Sequence, residues 1–247
     1  MSDQLPGIRC LLLDIEGTTT PIAFVHSVLF PYARTHVKSF LTTHLDSPEV
    51  RDDMTSLASE HARDAQQRLD PPDLLENPWS DRIASLASYV QWLIDRDRKF
   101  SGLKSLQGKI WEQGYKDGML RAPLYADVLP AFERWRQAGL RIAIFSSGSV
   151  AAQKLLFAHT DKEDVTHFIS AYFDTSTGPK VSGESYASIA SLLDLEPPQI
   201  LFVSDVTAEL DAAASVGLQT LLCIRPGNQS PPETEHQAIH SFDQIPV

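Results

Sequence analysis

An apolar run that ends in two acidic residues constrains the fold of this chain more than any other segment. Residues 11–13 are all leucine, Asp14 and Glu16 follow, and residues 17–20 are a glycine and three threonines. Side chains alternate along a strand, so Asp14 and Glu16 point the same way if strand geometry continues. Two carboxylates at the end of a buried strand are costly unless a cation is held there. The segment predicts a ligand site at the carboxyl end of a parallel strand, with a plain acidic turn as the alternative.

Three later segments also place polar groups at the ends of strands or turns. One apolar stretch leads into Ser146 and Ser147, a Gly-Pro turn precedes Lys180, and another apolar stretch ends in Asp205, with Glu209 one helical turn further on. Acid, hydroxyl, lysine and acid are suited to bind a phosphate together with Mg²⁺, which prefers oxygen ligands. The same residues also have ordinary explanations, as helix N-caps, a surface lysine or a helix-face salt bridge.

The motifs resemble those of the haloacid dehalogenase superfamily and, within it, the enolase-phosphatase (acireductone synthase) family of methionine salvage. The matching segments extend over nearly the whole chain and comprise residues 14–22, 106–108 with Trp111, 146–149 and 205–207. The superfamily usually carries Asp at the second acidic position, so Glu16 departs from the general pattern but fits this one family. The resemblance implies an α/β fold with a doubly wound, mainly parallel sheet and an inserted helical cap.

The resemblance also implies roles for the acidic residues. Asp14 would be the nucleophile that accepts the phosphoryl group, since a metal that neutralises the phosphate allows a carboxylate to attack it. Asp14, Glu16 and Asp205 would hold one Mg²⁺ per chain. Glu16 would act as an acid or base, and its metal contact could come from its side chain or its backbone carbonyl. The residue that removes a carbon-bound proton is left open.

Phosphate binding is expected from hydroxyl groups and one cation. Ser146 and Ser147 offer hydroxyl and backbone N–H donors at the start of a helix. Lys180 would bind the phosphate and stabilise charge on the leaving group. Glu209 would orient Lys180 or a water, although a helix-face salt bridge explains it nearly as well.

Composition restricts the partners of the protein. The 247 residues carry a formal net charge of −11, which argues against nucleic acid and anionic membrane surfaces as partners. Cys10 and Cys223 lie in apolar runs and predict buried thiols in a reducing compartment. Residues 1–4 are polar and no apolar run approaches 18 residues, so we expect neither a signal peptide nor a membrane span. These features favour a cytoplasmic protein, with the nucleus as a second location; the resemblance implies a monomer.

The spacing of apolar residues predicts two domains. A first strand at residues 8–15 is followed by a second of that type only at residues 141–145, and the intervening chain has helical periodicity. We therefore predict a catalytic core at residues 1–20 and 124–247 and a helical cap at residues 21–123. The predicted cap helices are residues 25–41, 49–69 with Ser47 as N-cap, 81–95 with Ser80 as N-cap, and 106–115.

After Pro123, helices and strands alternate. The predicted helices are residues 127–138, 149–158, 183–193 and 208–216, and the predicted strands are residues 141–145, 168–172, 200–204 and 219–224. Such alternation implies parallel pairing of the strands between layers of helices.

Within the predicted cap, Lys104 and Gln107 are candidates for reading the substrate, with a purely structural loop as the alternative. Trp79 and Trp111 are candidates for bordering a pocket. The sequence does not indicate which cap residues would contact a methylthio tail.

The resemblance implies a Mg²⁺-dependent phosphoric monoester hydrolase. Its substrate would be 2,3-diketo-5-methylthiopentyl 1-phosphate, which is enolised and then dephosphorylated to the acireductone 1,2-dihydroxy-3-keto-5-methylthiopentene. The first alternative is a capped phosphatase that acts on another small sugar phosphate, because the cap sets specificity. Two further hypotheses are a non-catalytic binding protein and a true dehalogenase. Joint retention of Asp14, Lys180 and Asp205 argues against the binding protein. Asp205 argues against the dehalogenase, because attack on a carbon–halogen bond needs no Mg²⁺ and a buried acid there would only be a cost.

Overall fold

A wholly parallel six-stranded sheet forms the centre of the fold in the computed structural model, which describes residues 7–229 and 233–246. The strands are β1 (Cys10–Leu13), β2 (Arg141–Phe145), β3 (Ala171–Phe173), β4 (Ile200–Ser204), β5 (Gln219–Cys223) and β6 (Ala238–Ile239), in the order β3-β2-β1-β4-β5-β6. The prediction of a doubly wound parallel α/β sheet is confirmed. The interpretation of residues 1–4 as a polar terminus concerns residues outside the described part.

Nine α-helices lie in the described part of the chain. They are α1 (Ile22–Phe24), α2 (Phe30–Thr43), α3 (Pro48–Gln66), α4 (Trp79–Asp95), α5 (Ser101–Lys116), α6 (Val128–Gln137), α7 (Val150–Ala158), α8 (Gly183–Leu193) and α9 (Thr207–Ser215). A π-helical turn, Val25–Leu29, separates α1 from α2. No helix in this part of the chain is both long enough and apolar enough to span a membrane.

The chain divides into two compact units, which we call the core unit and the helical unit. The core unit draws on Met1–Val25 and Arg121–Val247, and the helical unit comprises His26–Leu120. The predicted boundaries, after residue 20 and before residue 124, lie a few residues from these.

Both faces of the sheet are covered in the core unit. Every residue of β1 and β4 is buried, as expected for central strands of a parallel sheet. One face packs against α8 and α9 through a cluster that includes Leu12, Phe145, Tyr186 and Phe202. Residues such as Leu11 and Ile144 point to the opposite face, where α6 contacts β2. Central strands of this kind are rigid supports for the loops at their carboxyl ends.

The helical unit has its own apolar core, in which residues such as Val37, Leu57, Val90 and Leu106 are fully buried. The predicted N-cap of α3 is confirmed, since Ser47 Oγ accepts a hydrogen bond from the N–H of Val50 at 3.4 Å. The unit therefore has the self-contained apolar core of a small domain.

Two predicted element starts are wrong. Ser80 does not cap α4, because the helix begins at Trp79, directly after Pro78. The Ser80 hydroxyl donates instead to the Asp81 carboxylate. The predicted strand at residues 168–172 is shifted, because Thr166–Phe168 forms a 3₁₀ turn and β3 pairs Ala171–Phe173 with β2. The predicted and observed strands overlap at residues 171–172, so the sequence pattern alone does not fix where the strand begins.

Two further helical segments begin before their predicted starts, and one strand was not predicted. The first helical segment starts at residue 22 and contains a π-helical turn, α5 extends to Ser101–Lys116, and β6 is an additional strand. A strand of two residues is too short to show an alternating pattern.

Candidate active site

Asp14 lies directly after the central strand of the sheet, where the strand order reverses. Leu13 pairs with Ile144 of β2 on one side and with Val203 of β4 on the other. The Asp14 N–H continues this ladder by donating to Val203 at 3.0 Å. Ligands bind at such switch points in open parallel sheets. Asp14 is only 3 % exposed, so its carboxylate depends on protein partners.

Lys180 is the cation closest to Asp14 in this site. Its Nζ lies 2.6 Å from Asp14 Oδ1 and 2.6 Å from Glu209 Oε2, and the residue is only 7 % exposed. Burial disfavours the ammonium, but the carboxylates of Asp14 and Glu209 outweigh it and hold the pKa of Lys180 above its ordinary value. The alternative of a surface lysine is therefore wrong.

The chain before and after Lys180 holds it in place. Gly178 has a φ of +144°, and a Cβ there would overlap the hydroxyl of Ser185, which itself donates to Pro179 at 2.7 Å. The hydroxyl of Tyr186 donates to the Lys180 carbonyl at 2.7 Å. The Gly-Pro turn and the first turn of α8 therefore form one packed support for the ammonium.

Ser204 connects the two carboxylates that share Lys180. Its hydroxyl lies 3.4 Å from Asp14 Oδ2 and 3.0 Å from Glu209 Oε2, and it accepts from the N–H of Val206 at 3.1 Å. Sequence reasoning missed this residue. The only signal for it was its position at the end of β4, one residue before Asp205.

Glu16 and Ser146 meet across the carboxyl edge of the sheet. The Ser146 hydroxyl lies 3.3 Å from Glu16 Oε2 and accepts from the N–H of Gly148 at 3.1 Å. Ser147 is exposed. Neither serine caps α7, because Ser149 is the N-cap and accepts from the N–H of Ala152 at 3.3 Å.

The loop after β1 brings Gly17 against Asp205. Gly17 has a left-handed φ of +74°, and a Cβ at this position would overlap the Asp205 carboxylate. Only glycine combines this backbone conformation with such a close approach. The glycine that follows the acidic pair is therefore required by the packing of one acid against the loop that carries two others.

Negative charge exceeds positive charge among these groups. Burial and the charge of Asp14 raise the pKa of Asp205 to about 7 and that of Glu209 to about 7. Burial and Asp14 also raise the pKa of Glu16. Lys180 pairs directly with only two of these four carboxylates, those of Asp14 and Glu209. A bound cation would relieve their mutual repulsion, and oxygen donors suit a hard ion such as Mg²⁺.

Side chains alone do not form a metal cage here. Within the described ranges, no three His, Cys, Asp or Glu side chains are grouped so that they could hold a metal ion. An ion at this edge would therefore need further ligands in addition to side chains. A backbone carbonyl, phosphate oxygens and water are the usual additional ligands of Mg²⁺.

The predicted substrate-reading residues all lie in the helical unit. Lys104 is exposed on α5, and Gln107 is buried on the same helix, so neither belongs to a loop. The indole N–H of Trp111 donates to the carbonyl of Leu29 at 2.8 Å, and Trp79 is 46 % exposed. These contacts are internal to the unit.

A parallel α/β sheet with an acid after its central strand, a buried lysine and a second acid after the neighbouring strand defines the haloacid dehalogenase-like class of hydrolases. The sequence matches the family model described as haloacid dehalogenase-like hydrolase over residues 8–217. The chain belongs to this family of hydrolases.

Its relatives carry a more specific name. The chain is 55 % identical to enolase-phosphatase E1 of Synechococcus elongatus over 97 % of its own length and 98 % of the relative's. It is 44 % identical to the protein of the same name from Drosophila sechellia, over 96 % of its own length and 90 % of the relative's. Among solved structures, the UTR4 protein of Saccharomyces cerevisiae matches with a TM-score of 0.78 and 36 % identity, over 96 % of this chain and 99 % of that one.

Proposed function

We propose that this protein is a Mg²⁺-dependent enolase-phosphatase of methionine salvage. It would convert 2,3-diketo-5-methylthiopentyl 1-phosphate to 1,2-dihydroxy-3-keto-5-methylthiopentene and phosphate. The observation that carries the phosphatase chemistry is the buried Asp14 carboxylate, 2.6 Å from Lys180 at the switch point of the sheet. The choice of substrate rests on similarity to relatives named enolase-phosphatase E1.

The first step would be enolisation. A base removes one hydrogen from C1 as a proton, the electron pair forms the C1–C2 double bond, and the C2 carbonyl oxygen takes a proton from solvent water. Glu16 is our candidate base, because burial and the charge of Asp14 raise its pKa and so strengthen it as a proton acceptor. Ser146, 3.3 Å from Glu16, would hold that carboxylate in place.

The second step would be phosphoryl transfer to Asp14. A carboxylate oxygen of Asp14 attacks phosphorus, the bond between phosphorus and the C1 oxygen breaks, and that oxygen takes the proton carried by Glu16. Water then attacks phosphorus, its proton passes to Glu16, and phosphate leaves Asp14. Glu16 releases this proton to solvent, which restores the base and balances the proton taken up at the C2 oxygen. The Lys180 ammonium orients Asp14 and offsets phosphate charge.

The residues that would hold Mg²⁺ are Asp14, Asp205 and Glu16, the last through its side chain or its backbone carbonyl. Their all-oxygen donors fit a hard cation, and so do the raised pKa values of Glu16 and Asp205. Such an ion, when bound, neutralises charge on the phosphate. Ser146, Ser147 and Lys180 remain the proposed phosphate-binding residues.

We further propose that the helical unit acts as a cap, with Lys104 and Gln107 as substrate-reading residues. The protein would work as a monomer with one Mg²⁺ per chain, in the cytoplasm or nucleus, without nucleic acid or membrane partners. The net charge of −11 supports the absence of nucleic acid and anionic membrane partners.

Incubation of the protein with the diketo phosphate tests the proposal, because enediol absorbance and phosphate release report the two steps separately. Asp14→Asn should abolish phosphate release but retain slow exchange of the C1 hydrogens with D₂O, followed by proton NMR. The amide is nearly isosteric and is not a nucleophile. Exchange should fall further when Glu16→Gln is added.

The outcomes are distinct. Phosphate release by Asp14→Asn at the wild-type rate would rule out covalent catalysis by Asp14. Undiminished exchange in the double variant would exclude Glu16 as the base. Turnover of other sugar phosphates, but not of the diketo phosphate, in a panel of phosphorylated metabolites would favour the general phosphatase instead.

A further inference from the structure

Donors from distant parts of the chain hold the loop after β1. Three successive carbonyl oxygens of this loop each accept one hydrogen bond: Gly17 from Asn228 Nδ2 at 2.9 Å, Thr18 from Arg225 Nε at 3.1 Å, and Thr19 from the N–H of Tyr125 at 3.1 Å. Two of the three donors are side chains of the segment that follows β5.

The loop cannot satisfy these carbonyls by itself. The N–H groups of residues 18–20 all turn inward and donate to the Ile15 carbonyl, at 3.2, 2.9 and 3.0 Å. The threonines of this loop are fully buried, so a carbonyl left without a donor here would be costly. Arg225 and Asn228 therefore supply bonds that the loop needs in order to keep its conformation.

Arg225 is itself held firmly. The residue is 5 % exposed, and its Nη1 lies 2.8 Å from Asp127 Oδ2 and 3.2 Å from the His240 carbonyl. Its guanidinium carbon lies over the rings of Tyr125 and Phe242, at 4.6 and 4.7 Å from their centroids. A buried guanidinium with these partners has little freedom to move.

The partner acid is equally fixed. Asp127 is the N-cap residue of α6, and its Oδ2 also accepts from the N–H of Phe242 at 2.6 Å. Burial favours the neutral acid, but the Phe242 N–H and the Arg225 guanidinium outweigh it and hold the pKa of Asp127 below its ordinary value. The guanidinium thus links α6 and the carboxyl-terminal segment to the loop.

The position of the loop after β1 sets the distance from its two acids to Asp205. Gly17 packs directly against the Asp205 carboxylate, with Asn228 on the same side. Asp14 and Glu16 precede Gly17 in the same loop. A displacement of the loop would therefore change the separation between these two acids and Asp205.

We propose that Arg225, acting with Asn228, is a positioning residue that fixes the Gly17 and Thr18 carbonyls and so keeps Asp14 and Glu16 in register with Asp205. It lies outside the acidic, serine and lysine motifs that we propose to bind phosphate. The proposal rests on the proposed function for its kinetic readout alone.

The test compares Arg225→Lys with Arg134→Lys. A lysine can pair with Asp127 but cannot reach Thr18 with a second donor. Arg134 is the matched control, because it contacts the same carboxyl-terminal segment, at Asp243 (3.0 Å) and the Phe242 carbonyl (3.1 Å). Two readouts are measured: kcat and KM for phosphate release from the diketo phosphate, and backbone hydrogen exchange of residues 14–20.

Arg225→Lys should lower kcat on the order of 10- to 100-fold, as expected for misplaced reacting groups, with KM within about threefold of wild type. Exchange in residues 14–20 should become faster. Arg134→Lys should leave both readouts unchanged. Asn228→Ala, which removes the donor to Gly17 and leaves the guanidinium in place, should reproduce both effects and serves if Arg225→Lys does not fold.

A folded variant with wild-type kcat, or with wild-type exchange in residues 14–20, would overturn the proposal. Equal effects in Arg134→Lys would also overturn it, since they would report general destabilisation. If the wild-type protein releases no phosphate from the diketo phosphate, the proposed function fails. The exchange data then still decide whether Arg225 holds the loop.

Discussion

One ammonium serves two buried carboxylates in the candidate site. Lys180 lies 2.6 Å from both Asp14 and Glu209, and Ser204 bridges the same two acids. Buried charges of this kind are tolerated when they are paired, and removal of one partner is strongly destabilising. Stability and the proposed chemistry would therefore depend on the same lysine.

Lys180→Met should lower the free energy of unfolding at neutral pH by about 3–5 kcal/mol, because it leaves buried carboxylates without a cation. Turnover should fall by at least about tenfold with the loss of a charge-assisted contact. Lys154→Met is the control, since Lys154 is exposed on α7 and should change stability by less than about 0.5 kcal/mol. Chemical denaturation and phosphate-release assays measure both effects. Equal stability of Lys180→Met and Lys154→Met would contradict the conclusion that the buried carboxylates depend on the Lys180 ammonium.

The raised carboxylate pKa values predict a pH dependence of stability in EDTA. Glu209 has a pKa of about 7 in the folded protein, against an ordinary value of 4.5, because of burial and the charge of Asp14. Between these values the folded state binds more protons than the unfolded state, so the free energy of unfolding falls as pH rises. Glu209→Gln should flatten this slope between about pH 4.5 and 7 in thermal unfolding. An unchanged slope would show that Glu209 does not titrate in this window.

At the scale of elements, the site is built from loops that leave parallel strands at one edge of the sheet. The first of these loops needs a left-handed residue at Gly17, at a point where Asp205 leaves no room for a side chain. The backbone conformation and the packing at this position therefore both require glycine. A second glycine with the same conformation but free space around it separates the two effects.

Gly17→Ala should reduce activity on the order of 100-fold and destabilise the protein more than Gly139→Ala does. Both glycines have left-handed φ angles, +74° and +78°, so the conformational cost of about 1–2 kcal/mol is shared. No atom lies within 4 Å of a Cβ built at Gly139, whereas Asp205 blocks one at Gly17. Phosphate-release assays and thermal unfolding test this difference. Matching behaviour of the two variants would rule out the packing argument.

At the scale of the molecule, an acidic chain must bind an anionic substrate. The net charge of −11 works against a phosphate ester, so attraction has to be local. One buried lysine is outnumbered by the carboxylates around it, and this imbalance is the reason that we propose a bound cation. Metal binding should therefore also contribute to folding stability.

Mg²⁺ should raise Tm and be required for turnover, and excess EDTA should reverse both effects. A ligand at 100 times its Kd stabilises the folded state by about 2.7 kcal/mol. Asp205→Asn should lose most of the Tm increase, whereas Asp243→Asn, an exposed acid of the core unit, should retain it. Ca²⁺ should raise Tm but support little turnover, because its coordination is larger and looser. Full turnover in EDTA would exclude the metal site.

The sequence by itself determined the central strands and the residues at their ends. Apolar runs predicted β1, β2 and β4, and therefore that Asp14, Ser146 and Asp205 follow parallel strands. Local patterns also located α8 and the N-cap of α3. These predictions succeeded because burial and hydrogen bonding along one segment are governed by neighbours in the chain.

The tertiary structure decided which of these groups meet. Lys180 contacts an acid 166 residues away, and Arg225 reaches a carbonyl 207 residues away. Strand order places β4 beside β1, and this is why Ser204 bridges Asp14 and Glu209; its place in the sequence showed only that it ends a strand. The two-residue strand β6 is likewise formed only by pairing with β5. Contacts over such separations depend on strand order and packing of the whole sheet, which no window of sequence contains.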